Sequence, residues 1–207
     1  MEIEKSIKDL RFLLGKKVRD ILSEFEKNKK LDKNGKFMEL CFCILVANFS
    51  MEKTFEIWKK IGEKFLKLTK EELSQQLKQF GYRFYNKRAE YIVEARSKIE
   101  LLEDILKLND EFIIREKLVE NFRGIGWKEA SHFLRNLGYK NFAILDRHVL
   151  RTLRDLGVID KIPKTLNKRI YLKIEDRLRK IANELKMNLA ELDFYLFYIS
   201  SGKIPFK

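Results

Sequence analysis

The chain is poor in the residues that interrupt, cross-link or ligate. Of its 207 residues only two are proline, two cysteine and two histidine, and nine are glycine. With Pro163 and Pro205 as the only prolines, long stretches are free of helix breakers. The cysteines stand together as Cys41 and Cys43 inside the apolar run ELCFCILVANF. A structural zinc or an iron–sulfur cluster needs four ligands, usually in CxxC-like pairs, so neither is expected; buried free thiols in a reducing cytosol are. No run approaches the roughly 18 apolar residues of a membrane span. The opening MEIEKSIKDL has no apolar signal core, so the expectation is a soluble, cytoplasmic protein with no membrane partner. Negative charge is also scarce: 31 Asp and Glu stand against 44 Lys and Arg, a net +13. Such an excess does not set a fold. It favours polyanionic partners, nucleic acid most simply, with mere solubility as the bland account.

What is present is helix. Hydrophobic residues make up 45% of the chain, enough for a real core, and the 36% of charged residues, mostly Lys and Glu, fit a thermophile surface laced with ion pairs. The stretch KDLRFLLGKKVRDILSEFEK puts Leu10, Leu13, Leu14, Val18, Ile21 and Leu22 on one helical face. Comparable patterns run through FMELCFCILVANF, NKRAEYIVEARSKIELL, DEFIIREKLVENF, WKEASHFLRNLG and RIYLKIEDRLRKIANEL. Thr69 with Glu72 forms a capping box, Asn109 or Asp110 caps the helix that follows, and Gly81, Gly138 and Gly157 stand where helices stop. The fold class is all-α, about ten helices on short loops.

Between the apolar helices IIREKLVENF and WKEASHFLRNL the chain has only RGIG. Gly124 and Gly126 permit a tight hairpin, Ile125 between them plugs the core, and Ala130, Leu134 and Leu137 line the inner face of the second helix. Amides of a loop that opens a helix converge on anions, and a DNA phosphate is the natural one for this charge. Many helix pairs also turn on glycine without binding anything. Lys128 falls in the first turn of the second helix, where a cation opposes the helix dipole; that field favours the neutral amine that Schiff-base chemistry uses. Against this stands the abundance of lysine. Asp146, between FAIL and RHVLRTL, is placed to cap a helix, and a carboxylate so held can also stabilise a cationic sugar or move protons. The two are 146 − 128 = 18 residues apart, a helix plus a loop, a spacing that permits one cleft without proving it.

The segment GIGWKEASHFLRNLGYKNFAILDRHVLR resembles the hairpin, Gly-rich loop and aspartate signature of the endonuclease III superfamily of DNA glycosylases. More narrowly it is similar to the short second type of 8-oxoguanine DNA glycosylase/AP lyase. ELCFCILVANFS, YRFYNKRAEYIVEAR, IPKTLNKR and ELDFYLFYISSGK extend the likeness over nearly the whole chain. The resemblance implies a helix-hairpin-helix glycosylase fold, two helical subdomains with a DNA-binding cleft between them. One would combine about 1–50 with 145–207; the other would span about 51–144 and contain the hairpin, about 111–138. It implies Lys128 as nucleophile, Asp146 as catalytic carboxylate, and Asn48 as the residue entering the duplex where the base has left, with a helix-end cap as the plain alternative. Arg83, Phe84 and Tyr85 would engage the partner strand, although Phe84 also suits a core. Asp193 and Phe197, at i and i+4, would border the base pocket, Phe197 stacking on the flipped base or simply packing in the core. Lys207 would bring a terminal carboxylate to the guanine edge. His148 would orient a phosphate, while His132 is structural.

The expected activity is excision of 8-oxoguanine from duplex DNA by a lysine Schiff base, followed by β-elimination, by a monomer that needs neither metal nor other cofactor. Three rivals stay open: the same fold acting on another lesion such as oxidised pyrimidines, a non-catalytic DNA-binding hairpin module, and an RNA-binding helical protein. Nothing in composition or spacing separates 8-oxoguanine from guanine.

Overall fold

The computed structural model describes residues 2–205; Lys207, expected at the base pocket, lies outside them. Among the described residues the chain forms α1 (Glu2–Lys27), α2 (Lys33–Val46), α3 (Met51–Ile61), α4 (Lys70–Gln79), α5 (Tyr85–Arg96), α6 (Ile99–Leu106), α7 (Glu111–Asn121), α8 (Trp127–Asn136), α9 (Arg147–Asp155), α10 (Lys168–Glu184) and α11 (Leu189–Ser201), with 3-10 turns at Asn28–Lys30 and Gly62–Leu66 and no strand. The helix starts are written in side chains. Thr69 and Glu72 form the full capping box of α4, Asp110 caps α7, and Asn167 and Asn188 open α10 and α11 by accepting first-turn amides. Among the described residues no helix is long and apolar enough to cross a membrane.

The chain divides into two compact units, residues 30–133 and residues 1–29 with 134–207. These limits fall earlier than the expected ones near residues 50 and 144. The segment 30–50 carries α2, which is the core of the 30–133 unit. Phe37 and every residue from Leu40 to Leu45 are fully buried, because α3, α5, α6 and the turn at Gly62–Leu66 surround α2. A helix apolar all round is stable only when enclosed, and each such side chain contributes on the order of 2 kcal/mol. Polar ties fix the wrap: Trp58 Nε1 donates to Met38 O at 2.7 Å, and Tyr82 Oη donates to Leu45 O at 2.6 Å. Cys41 and Cys43 are buried and joined in no disulfide, and burial pushes the Cys41 thiol well above its usual range. The stretch read as one helix from Asn86 to Leu102 breaks at Ser97–Lys98, where Lys98 Nζ donates to Asn121 O at 2.9 Å.

In the other unit α11 is central, buried from Leu189 to Leu196 and packed by α1, α9 and α10. The inner face of α1 is Ile3, Ile7, Val18, Leu22 and Phe25. Leu13, expected on that face, is 70% exposed: steps of three and four from Ile7 and Val18 pass through Leu14, and Leu13 lies about 100° away from it. Residues 134–144 belong here because Gly138 turns directly against α1, where a Cβ would meet Glu26 Cα at 2.7 Å, and Ala190 N donates to Lys140 O at 3.1 Å.

Candidate active site

The hairpin between α7 and α8 is built as a β-turn over residues 122–125. Ile125 N donates to Phe122 O at 3.1 Å, and Gly124, the third residue, has φ +85°, a conformation that L side chains rarely adopt. The turn lies against α5, since a Cβ on Gly124 would stand 2.5 Å from Tyr91 Cδ2 and 3.1 Å from Arg88 Nη1. Ile125 is buried as a plug; Ala130 and Leu134 of α8 are buried too, as is Leu137 just past the helix end. The amides are less free than the sequence suggests. That of Ile125 closes the turn. That of Gly126 donates to Glu129 Oε2 at 3.3 Å, the acid three residues into the helix reaching back to the residue before it.

Lys128 occupies the second position of α8, half-buried, with Nζ 3.0 Å from Glu129 Oε1. One carboxylate therefore spans the hairpin's last amide and the lysine amine. Behind them, Arg115 is buried beneath the helix, donating to Ser131 Oγ at 3.2 Å and stacking 4.8 Å from the Trp127 ring. His132 is buried edge-on to Phe42, centroids 5.8 Å apart, a packing residue as expected.

Asn48 stands in a second turn. Ala47 has φ −61° and ψ 112°, Asn48 has φ +61°, and Phe49 N donates to Val46 O at 3.1 Å. These are the marks of a type II turn, whose third position accepts glycine or asparagine. Asn48 follows Ala47, which is the C-cap of α2, so it stands one residue past the helix-end cap of the plain reading, exposed at the tip. Phe49 packs on Tyr82, centroids 4.5 Å apart, and burial pushes the Tyr82 phenol up to about 12. Arg83 is exposed and stacks 4.4 Å over the half-exposed Phe84, while Lys78 lies 5.5 Å over Tyr85. Arg88 joins these parts: its guanidinium donates to Ala47 O at 3.1 Å and lies 5.9 Å from the Phe84 ring and 5.7 Å from the Tyr91 ring. The Asn48 turn, the 83–85 loop and the Gly124 turn are therefore neighbours within one unit. Arg88 was not singled out in the sequence, though its i+4 spacing from Phe84 was a usable signal; Glu129 likewise stood at the acid position of a capping box.

In the other unit Asp146 opens α9. With φ −92° and ψ 177°, it accepts from Val149 N at 2.8 Å through Oδ1 and is half-buried; among the described residues Oδ2 accepts no hydrogen bond. His148 is exposed on the first turn. Asp193 is buried, with Oδ2 2.7 Å from Arg135 Nη1 and Oδ1 accepting from Ile144 N at 3.3 Å. Burial pushes its carboxyl up to about 6; the Arg135 charge opposes that shift and Asp146 adds to it. Both its oxygens are engaged within the protein, so it braces the segment that leads to Asp146. Phe197, one turn on, is half-buried.

A family model described as 8-oxoguanine DNA glycosylase matches residues 18–187. The chain is 48% identical over 202 residues to the 8-oxoguanine DNA glycosylase/AP lyase of Methanocaldococcus jannaschii, covering 96% of this chain and 98% of that protein. It is 43% identical over 209 residues to the protein of the same name from Korarchaeum cryptofilum, covering 99% of each. The crystal structure of the M. jannaschii glycosylase/lyase in complex with a 15mer DNA containing 8-oxoguanine matches with a TM-score of 0.96 at 46% identity, over 99% of this chain and 100% of that one. The Thermotoga maritima 8-oxoguanine DNA glycosylase matches with a TM-score of 0.92 at 42% identity, over 98% of both chains.

Proposed function

Because the chain belongs to the 8-oxoguanine DNA glycosylase family, we propose that it is a bifunctional glycosylase/AP lyase that excises 8-oxoguanine from duplex DNA through a Schiff base on Lys128 and then nicks the strand. The observation that carries the assignment of Lys128 is its place in the first turn of α8, directly after a hairpin held rigidly by Gly124 and Ile125. Basic surface and hairpin hold the DNA backbone, with an affinity that falls steeply as salt rises. Extrusion of the lesion costs a few kcal/mol, offset in part by side chains that take its place. Asn48, presented at the tip of its turn, enters the emptied stack. Arg83 meets a phosphate while Phe84 and Tyr85 stack against the partner strand. His148 orients a phosphate from the start of α9. Phe197 stacks on the extruded base, and Asp193 contributes by bracing the 144–146 segment rather than by touching the base. All these groups come from one chain, so a monomer suffices.

In the reaction, the neutral Nζ of Lys128 attacks C1′ as the C1′–N9 bond breaks, and the bond's electron pair leaves with the base, which takes up a proton. The Asp146 carboxylate offsets the positive charge that develops on the sugar. The new C–N nitrogen gives up a proton, O4′ takes one as the ring opens, and a protonated imine joins Nζ to C1′. Loss of a C2′ proton then expels the 3′ phosphate, cutting the strand, and water releases the lysine.

Borohydride trapping tests the reading, on a duplex carrying one 8-oxoguanine opposite cytosine, with wild type and Lys128→Gln side by side. A covalent adduct in wild type alone supports it. No adduct with wild type, given proven binding, redirects the assignment to another lesion or to a non-catalytic hairpin. Tighter binding to duplex RNA than to duplex DNA at fixed salt would overturn the choice of DNA.

A further inference from the structure

The carboxylate of Glu129 engages a hairpin amide and the lysine amine together. Oε2 takes the Gly126 N–H at 3.3 Å, and Oε1 lies 3.0 Å from Lys128 Nζ. Both side chains are largely withdrawn from solvent, 15% and 24% exposed, so the pair is screened less than the surface ion pairs of this chain. The Ile125 amide is already spent inside the turn, and the Gly126 amide is the next hairpin donor toward the helix start. A phosphate and a carboxylate compete for such a donor on the same terms: both are oxyanions, and both gain from the field of the helix N-terminus. Lys128 is bound up in the same competition, because the oxygen that does not hold Gly126 holds the amine.

We propose that Glu129 is a built-in phosphate mimic: it fills the hairpin's anion seat and tethers Lys128 Nζ until a DNA backbone phosphate displaces it, so that the amine is released on the engaged strand. Resting on the reading of the hairpin and Lys128 given above, this adds a positioning residue that couples strand engagement to nucleophile release. In the free protein the carboxylate keeps the turn satisfied and turns away small anions. On DNA, the phosphate that takes the Gly126 amide removes the tether in the same event, and the amine is directed to C1′ instead.

Steady-state kinetics on the 8-oxoguanine duplex test this with wild type, Glu129→Gln, Glu129→Asp and, as an electrostatic control, Glu120→Gln, an exposed acid of α7 paired with Lys117. Displacement of the carboxylate opposes DNA binding and is complete at saturation. Glu129→Gln therefore lowers KM at least fivefold, and lowers the Kd for undamaged duplex likewise, with the single-turnover rate at saturating DNA kept within about twofold. Glu129→Asp returns KM toward wild type, and Glu120→Gln shifts it less than twofold. Glu129→Ala, which gives the same KM change with a lower Tm, stands in should the glutamine variant fold poorly. A tenfold or greater fall in the saturating rate would mean that Glu129 acts in the chemistry itself and would overturn the latch. An unchanged KM, or a change that the Glu120 control reproduces, would overturn it equally. Borohydride trapping by wild type separates the two levels: trapping with no KM effect at Glu129 sinks only the latch, whereas no trapping at all sinks the reading beneath it.

Discussion

Arg88 donates from Nη2 to the carbonyl oxygen of Ala47 at 3.1 Å, so a cation of α5 holds the turn that presents Asn48. The same guanidinium lies over the Phe84 ring and beside the Gly124 turn. Replacing Arg88 by Met keeps the stem and removes the donor. A part-buried carbonyl left without its partner costs about 1–2 kcal/mol. Chemical denaturation should show that loss, and the ratio of Kd values for undamaged and lesion-bearing duplex should fall toward one.

Asn48 is asked for both backbone and side chain. With φ +61°, Asn48→Gly leaves the fold's stability nearly unchanged, whereas a β-branched valine costs about 1–2 kcal/mol in that conformation. Excision should collapse in both variants. A thermal melt beside a nicking assay separates strain from function; if the glycine variant retains full excision, the amide has no part in the emptied stack.

Gly124 and Gly126 should respond differently to a single methyl group. At Gly124 an added Cβ combines a positive φ with a contact 2.5 Å from Tyr91, and Gly124→Ala should lose about 2–4 kcal/mol of stability. At Gly126 the φ is not positive and the nearest atom, 3.2 Å away, is the tip of the flexible Glu129 side chain. Gly126→Ala should cost less than about 1 kcal/mol, as a surface substitution does. Paired urea titrations check the difference.

Asp193 gives a pH signature of unusual sign. Its carboxyl is pushed up to about 6 from an ordinary 3.8, so the folded protein binds that proton more tightly than the unfolded chain. The contribution to stability is therefore fully present below about 4 and is lost as pH rises through 6. The carboxyls of Glu72 and Glu94 are held low by hydrogen bonds from Thr69 and Lys98 and act in the opposite direction. Subtracting the stability of Asp193→Asn from that of wild type across pH 4–7 should isolate a downward slope. A flat difference would mean that Arg135 fully offsets the burial.

Much of this was legible along the chain because it is local. The capping box at Thr69, the cap at Asp146, the buried Ile125 and the positive φ of Gly124 each follow from a few adjacent residues. What could not be read is carried by pairs that the fold makes. Arg88 finds Ala47 41 residues away, and Asp193 finds Arg135 across 58, distances over which a linear pattern holds no information. The exposure of Leu13 belongs to the same class: α1 has more leucines than its partners can cover, and only those partners decide which one faces water. Glu129 was hidden differently, in plain sight beside the lysine that drew the eye.

The hairpin stands on a floor it does not own. Tyr91 and Arg88 lie under Gly124, and Arg123 spreads over the Tyr91 ring while pairing with Glu90 and Glu94. A peptide cut at residues 111–138 would therefore carry the motif and lose its shape. Anyone grafting this loop onto another scaffold must transplant the α5 surface with it: what looks in sequence like a cassette is, in engineering terms, one half of a mated joint.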